Sequence, residues 1–285
     1  TRWTAVARGG IVLASGGFNR DPLQRARLLG PLVAQNPQWC PGAPGHTGQA
    51  QALARDVGAQ HSADADAPGP RTLSPAMWAP VSLRKRPDGS TAVFPHFVMD
   101  RAKPGVITID RRGRRFVNES TSYHLFGLAM QRDAGQGPSV PAWLIADAQA
   151  LRLYGLGMVR PGGTGLAPYL ADGYLVAGKT LAELAQRIGV DGPALADTVQ
   201  RFNASALAGV DADHRRGETA YQHNIGDASR GLPNPNLGPL SEAPFYAVQL
   251  FPGDIGSADG FVTDEHARVR CRDGQVLDGL YAVGS

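Results

Sequence analysis

Thiols, long apolar runs and an excess of either charge are all scarce in this chain of 285 residues. Only two cysteines occur, Cys40 and Cys271. They lie far apart, which excludes a disulfide scaffold and a thiolate metal cluster and favours a reducing, cytoplasmic setting. No stretch approaches the ~20 apolar residues of a bilayer-spanning helix, so no integral membrane segment is expected. No basic leader with an apolar core opens the chain, and no signal peptide is read. The seven histidines show neither the i, i+4 nor the Cys/His spacing of a zinc site, so no metal is expected. A Gly-x-Ser-x-Gly elbow is absent, which leaves a serine hydrolase without support. The net charge is only +3, too small to imply a polyanionic partner, and no nucleic-acid role is expected. There is no internal repeat. An initiator Met is also missing. The chain opens at Thr1 and stops at Ser285 just after an apolar run, so both ends read as cuts through folded material.

What is present is enough apolar residue, 42%, to bury a sizeable core, in one large domain or two smaller ones. The 36 glycines and 22 prolines have no fixed period and predict many tight turns. Ile11–Ala14, followed by Ser15-Gly16-Gly17, reads as a buried parallel strand running into a turn. Asp21 caps a helix through Leu29, and a second helix follows His46-Thr47-Gly48. Ala50, Leu53, Ala54 and Val57 make one apolar stripe on it, with Gly58 at its end. Thr91–Met99 and Val106–Asp110 read as strands, with Arg111–Arg114 as a hairpin turn to Phe116-Val117. Tyr123–Arg132 reads as a helix. Thr180 and Glu183 form a capping box opening Leu181–Ile188, and another helix follows Asp191. Gly209–Pro244, polar and rich in Pro and Asn, reads as a long surface excursion. Strand patterns return at Phe245–Phe251, Phe261–Thr263, Ala267–Cys271 and Gly279–Gly284. The two ends thus resemble strand ends of an α/β nucleotide-binding layer, and the middle a mixed α+β insertion.

Few residues carry an individual chemical signal. The Ser15-Gly16-Gly17 turn suits phosphate or sugar oxygens, yet glycine pairs are also ordinary punctuation. His46-Thr47-Gly48 offers free helix amides to an anion, or simply a Thr cap. Arg111, Arg112, Arg114 and Arg115 read as a solvated turn rather than a nucleic-acid patch. Tyr123 alone reads as a half-buried aromatic at a helix start. A phenol serves as a base near neutrality only where cations or donors hold its anion.

Five stretches taken in order say more: Gly10–Phe18, Gly45-His-Thr-Gly48, Gly113-Arg-Arg-Phe-Val-Asn-Glu-Ser120 with Tyr123, Pro244-Phe-Tyr-Ala-Val248 and Gly279-Leu-Tyr-Ala-Val-Gly284. Together they resemble the fumarate reductase/succinate dehydrogenase flavoprotein superfamily, most similarly its 3-ketosteroid dehydrogenase-like FAD enzymes. The resemblance implies a Rossmann-like FAD-binding domain, residues 1–80 and 244–285, interrupted by an α+β capping or catalytic domain, residues 81–243. It implies FAD contacts from Ala14, Ser15, Gly16 and Gly17, from Thr47, Gly48 and Gln49, from Gly256 and Ser257, and from Gly284 and Ser285. Gln49 and Ala50 stand where the family usually has Asp-Gly, and Ser285 where it usually has Asn or Glu.

Within the superfamily, fumarate reductases carry a proton-delivering Arg five residues after the Asn of the Asn-Glu pair. Tyr123 occupies that place here. Two histidines of those enzymes, one a carboxylate ligand, align with Ile255 and Gly256. A desolvated dicarboxylate needs cationic partners, and these replacements remove them. Tyr123 instead resembles the ketosteroid dehydrogenase base that takes a proton beside a ketone, with hydride passing from the neighbouring carbon to FAD. The implied substrate is a small apolar, steroid-like ketone, and no electron acceptor is indicated. The alternatives are a fumarate- or enoate-reducing flavoprotein and a non-catalytic flavoprotein fragment. Neither the Gly-x-Gly-x-x-Gly fingerprint nor the family's Tyr-Pro-Gly-type segment is present. These 285 residues alone are therefore expected to bind FAD poorly. Flavin absorbance of the purified chain checks this, and a stoichiometric yellow preparation would refute it.

Overall fold

A computed structural model of the chain describes residues 6–64, 66–68, 74–134 and 139–284. The elements run in chain order. Strand β1 (Ile11–Leu13) precedes helices α1 (Pro22–Leu28), α2 (Gly30–Ala34) and α3 (Gln49–Asp56). Strands β2 (Ala76–Lys85), β3 (Thr91–Pro95) and β4 (Val106–Ile109) lead to α4 (Tyr123–Ala134), β5 (Ala142–Ala146), α5 (Ala148–Tyr154) and α6 (Ala167–Ala171). Then come β6 (Leu175–Gly178), α7 (Leu181–Ile188), α8 (Gly192–Ala208), α9 (Ala220–Ile225), β7 (Phe245–Ser257), β8 (Arg268–Arg270) and β9 (Val276–Ala282). The chain divides into two compact units. One comprises Thr1–Met77 and Asp254–Ser285, the other Trp78–Gly253.

In the first unit β9 lies between β1, to which it is parallel, and β8, to which it is antiparallel. Asp21 caps α1 by accepting from the Leu23 and Gln24 amides. Two expectations fail here. The β1 run is parallel but not buried: Ile11 and Val12 point to opposite faces and are 57% and 60% exposed. The strand is a sheet edge, and among the described residues no element covers either side chain. The α3 stripe is mostly open as well. Ala54 joins a small core with Ala59 and Val269, while Leu53 and Val57 are exposed.

The second unit is organised by a six-stranded sheet with β7 at its centre. The order is β3-β2-β7-β5-β4, and β6 also pairs with β7. Side chains alternate with period two, and both faces are buried. Val106, Leu144, Ala146 and Val248 pack under α4 and α5. Ile107, Ile109, Ile145 and Ala247 pack under α7 and α8. Each such Ile or Leu contributes about 1.5–3 kcal/mol by leaving water. The α7 cap forms as expected: Thr180 Oγ1 accepts from Glu183 N at 3.1 Å, and Glu183 Oε2 from Lys179 N at 2.9 Å.

Three sequence expectations need correction in this unit. Phe116-Val117 is not a hairpin strand. The turn at Arg111–Arg114 closes, but β4 takes β5 as its partner. Arg115 is not solvated. Its side chain is 4% exposed and carries two ion pairs. Residues 209–244 are not a surface excursion either. Asp211, Arg216, Asn234, Asn236, Leu237 and Leu240 are all buried. Their polarity serves internal hydrogen bonds: Asn236 Nδ2 alone donates to Ala102 O, Ser120 Oγ and Gln222 O.

Candidate active site

The expected cofactor residues of the first unit gather where β1 and β9 end side by side. Leu13 lies opposite Ala282, and Val283 N donates to Leu13 O at 3.0 Å. Ala14–Gly17 and Val283-Gly284 therefore leave the carboxyl ends of two parallel strands together, where α/β sheets place their ligands. Ser15, Gly16 and Gly284 line one cavity of about 230 Å³, with Gln51, Phe261 and Thr263 among its other walls. The sequence reading passed over these last three. Gln51 comes from α3, and Phe261 is held by an isolated antiparallel bridge to His61, whose ring meets it edge-on at 5.5 Å between ring centres.

The remaining expected residues are not among those lining this cavity. Ala14 is exposed on the turn, Gly256 is half-buried on β7, and Gln49 is exposed at the start of α3. Thr47 N donates to Gly45 O, and Gly48 N to Gly17 O at 3.1 Å. Gly48, with φ +70°, is the residue at the α3 N-cap, not Thr47. Ser285 lies outside the described residues. Ser257 is buried, and its Oγ accepts from Phe18 N and donates to Asn19 Oδ1, both at 3.1 Å. Asn19 in turn donates to Asp254, which pairs with the buried Arg25.

Gly17 is small for the sake of this cluster. A Cβ there would stand 1.6 Å from Ser257 Oγ. Gly17→Ala is expected to destabilise the chain by about 1–3 kcal/mol through overpacking. Adding Ser257→Gly should recover part of that loss in a denaturant titration. An unchanged midpoint in Gly17→Ala would refute the account.

In the second unit Tyr123 is the first residue of α4 and is half-buried. Its ring meets Phe97 edge-to-face, 5.1 Å between centres at 70°. Among the described residues no hydrogen bond reaches its hydroxyl. The helix is seated by Gly127, whose missing Cβ would stand 2.5 Å from Trp78 Cβ. His124 Nδ1 accepts from Trp78 N at 3.2 Å, and burial pulls that imidazole below its usual pKa.

Four residues before Tyr123, Glu119 anchors a buried charge network. Glu119 accepts from Thr108 N at 3.0 Å, from Arg115 Nε and Nη2 at 2.8 and 2.6 Å, and from Arg216 Nη1 at 3.2 Å. Asp211 takes the other side of Arg115. Burial pushes the Glu119 carboxyl up, but Arg115, Arg216 and the Thr108 amide outweigh it and hold the pKa at about 2. Arg216 also donates to the carbonyls of Val106 and Lys103. The Asn-Glu pair therefore acts in the frame: Asn118 Nδ2 donates to His214 O and Arg215 O, and its Oδ1 accepts from Ser120 N. Among the described residues no group of three or more His, Cys, Asp or Glu side chains is placed to hold a metal, and no helix is long and apolar enough to cross a membrane.

The cavity at the β1 and β9 ends fits part of a flavin dinucleotide. Its hydroxyls, its amide and its glycine backbones suit polyol or sugar oxygens approaching closely, with Phe261 as an apolar wall. Its volume is below the roughly 300–1,000 Å³ of pockets that enclose a whole small molecule.

Comparison with known proteins agrees with this chemistry. The chain is 38% identical over 280 residues to 4-oxocyclohex-2-ene-1-carboxylate 5-dehydrogenase of Sinomonas cyclohexanicum, covering 98% of this chain and 46% of that one. It is 36% identical over 286 residues to 3-oxosteroid 1-dehydrogenase of Mycobacterium tuberculosis, covering 98% and 47%. The crystal structure of 3-ketosteroid delta1-dehydrogenase from Sterolibacterium denitrificans, in complex with 1,4-androstadiene-3,17-dione, aligns with a TM-score of 0.83 at 32% identity, over 97% of this chain and 47% of that one. The chain spans about half the length of the curated relatives it matches. Its residues 1–285 match the family described as FAD binding domain, and the chain belongs to that family.

Proposed function

We propose that this chain is part of an FAD-dependent dehydrogenase that introduces a C=C bond beside a ketone in an apolar cyclic substrate, with Tyr123 as the base. In this reading Thr1–Met77 and Asp254–Ser285 form a Rossmann-like FAD-binding unit, and Trp78–Gly253 the catalytic cap. The two unpaired thiols favour a cytoplasmic setting. The observation that carries the reading is the state of Tyr123. It is a half-buried phenol without a hydrogen-bond partner among the described residues, and it stands against Phe97 rather than a cation. Its hydroxyl is uncommitted and open to a substrate, a phenol beside an aromatic ring is ill suited to hold a dicarboxylate, and the cation or donor that its anion needs as a base is not among the described residues. Ser15, Gly16, Gln51, Thr263 and Gly284 are the residues that would hold the cofactor. FAD, when bound, supplies the two-electron oxidant. The chain's own part is to place the ketone-bearing ring and to receive the proton from the carbon beside the carbonyl at the Tyr123 hydroxyl.

The test is turnover of the full-length protein with an artificial electron acceptor. 4-Androstene-3,17-dione, the 1,2-dihydro form of the dione bound in the Sterolibacterium denitrificans structure, or 4-oxocyclohexanecarboxylate is expected to reduce the acceptor. Fumarate with a reduced dye is expected to react far more slowly. Reduction of fumarate without oxidation of either ketone would reverse the assignment.

A further inference from the structure

One residue before Phe97, which meets Tyr123, begins a string of buried polar groups that the proposed reaction does not use. His96 is fully buried. Its Nδ1 meets Asp100 Oδ2 at 2.6 Å and its Nε2 meets Ser82 Oγ at 2.8 Å. Ser82 Oγ in turn meets the Tyr174 hydroxyl at 2.8 Å, and that hydroxyl accepts from Met158 N at 2.9 Å. Asp100 accepts further from Gly157 N at 2.9 Å and Arg101 N at 2.8 Å. The distances are those of a nucleophilic triad, but the string is closed. Ser82 and His96 have no exposed surface, and the serine oxygen is already shared with Tyr174. It is therefore not a second active site.

Its geometry leads elsewhere. The main chain of His96 is held as firmly as its ring: His96 N donates to Pro80 O at 2.8 Å, and its carbonyl accepts from Arg101 Nε at 3.0 Å. The same Arg101 guanidinium donates to the carbonyl of Glu119, four residues before Tyr123, and lies 5.2 Å from the ring centre of Phe126 in α4. The residue after His96 is Phe97, the exposed ring that meets Tyr123. With every polar atom of His96 committed, the main chain that leads into Phe97 is held in place. Buried charged groups are a poor way to gain net stability, and their best-attested use is to specify one geometry.

We propose that His96 and Asp100 are positioning residues for Tyr123, acting through Phe97: the locked imidazole sets the ring against which the phenol rests. The inference rests on the reading of Tyr123 as the base. A displacement of about 1 Å at a reacting group is enough to lower the rate by roughly 10²-fold without weakening binding.

The experiment compares Asp100→Asn, Ser82→Ala and Tyr123→Phe in the full-length, FAD-loaded protein. The substrate is 4-androstene-3,17-dione, unlabelled and deuterated at the carbon that loses the proton. Asp100→Asn is expected to lower kcat per bound FAD by roughly 10- to 100-fold with KM nearly unchanged, and to raise the primary isotope effect on kcat. A merely structural role would reduce the folded fraction and leave the isotope effect where it was. Ser82→Ala removes the far partner of the imidazole with little change in volume. It should move both quantities in the same direction by less, and it decides the matter if Asp100→Asn does not fold. Unchanged kcat, or a loss without a rise in the isotope effect, overturns the proposal. If Tyr123→Phe abolishes turnover while these variants behave so, only the positioning role is lost. If Tyr123→Phe turns over normally, the base assignment falls and this proposal with it.

Discussion

Tyr123→Phe in the full-length protein is expected to cut turnover of a ketone substrate by about 10²–10⁴-fold, the range that a positioned proton acceptor supplies. The substitution removes one oxygen and keeps the ring. The edge-to-face contact with Phe97 survives it, and so does the start of α4. No hydrogen bond to that hydroxyl exists among the described residues, so nothing buried is left unsatisfied. Stability is therefore expected to stay within about 0.5 kcal/mol. FAD content should be unchanged, because the cavity at the β1 and β9 ends does not include this residue. Separating turnover from thermal stability and flavin absorbance is the measurement. A variant that keeps its flavin and turns over within a few-fold of the parent would remove Tyr123 from the mechanism.

The largest expected stability effect belongs to Glu119→Gln. This carboxylate is fully buried between Arg115 and Arg216. Arg115 would retain Asp211, but the buried Arg216 would lose its only ion-pair partner among the described residues. Breaking such a pair on one side costs about 3–5 kcal/mol, because a charge stays behind without compensation. Denaturant unfolding should show the loss directly. Glu242→Gln, which breaks an exposed pair with Arg152, should change little. The same site predicts acid lability. The folded pKa of Glu119, about 2, lies below its ordinary value of 4.5. The unfolded chain therefore binds the proton more readily. The stabilisation is complete above about pH 4.5 and is lost as the pH falls toward 2. In Glu119→Gln the unfolding midpoint should vary less with pH across that window. An equal slope in both proteins would mean that other groups carry the acid transition.

Much of the local structure was legible because its causes are local. Asp21, Thr180 and Asp191 each cap the helix that follows through hydrogen bonds two or three residues away. The helix beginning at Tyr123 rests on equally short-range rules. The gathering of Ser15, Gly16 and Gly284 was legible only through the resemblance, since 268 residues separate Gly16 from Gly284. Strand β2 escaped notice because Pro80 stands in its interior, where a ladder donor is normally needed. Strand β5 is five residues long and uniformly apolar, with no alternation to mark it.

Sequence, read through the resemblance, pointed to the kind of chemistry proposed here: ordered motifs, and a tyrosine where the fumarate reductases carry an arginine. Only the tertiary structure decided which polar residues are buried. Arg115 looked like part of a solvated basic turn until Asp211, 96 residues away, closed on it. Residues 209–244 looked like surface because their polarity is the same whether water or another part of the chain satisfies it. Composition records that a group needs a partner. Which partner it receives is set by contacts across the whole sheet, and these are absent from any local window.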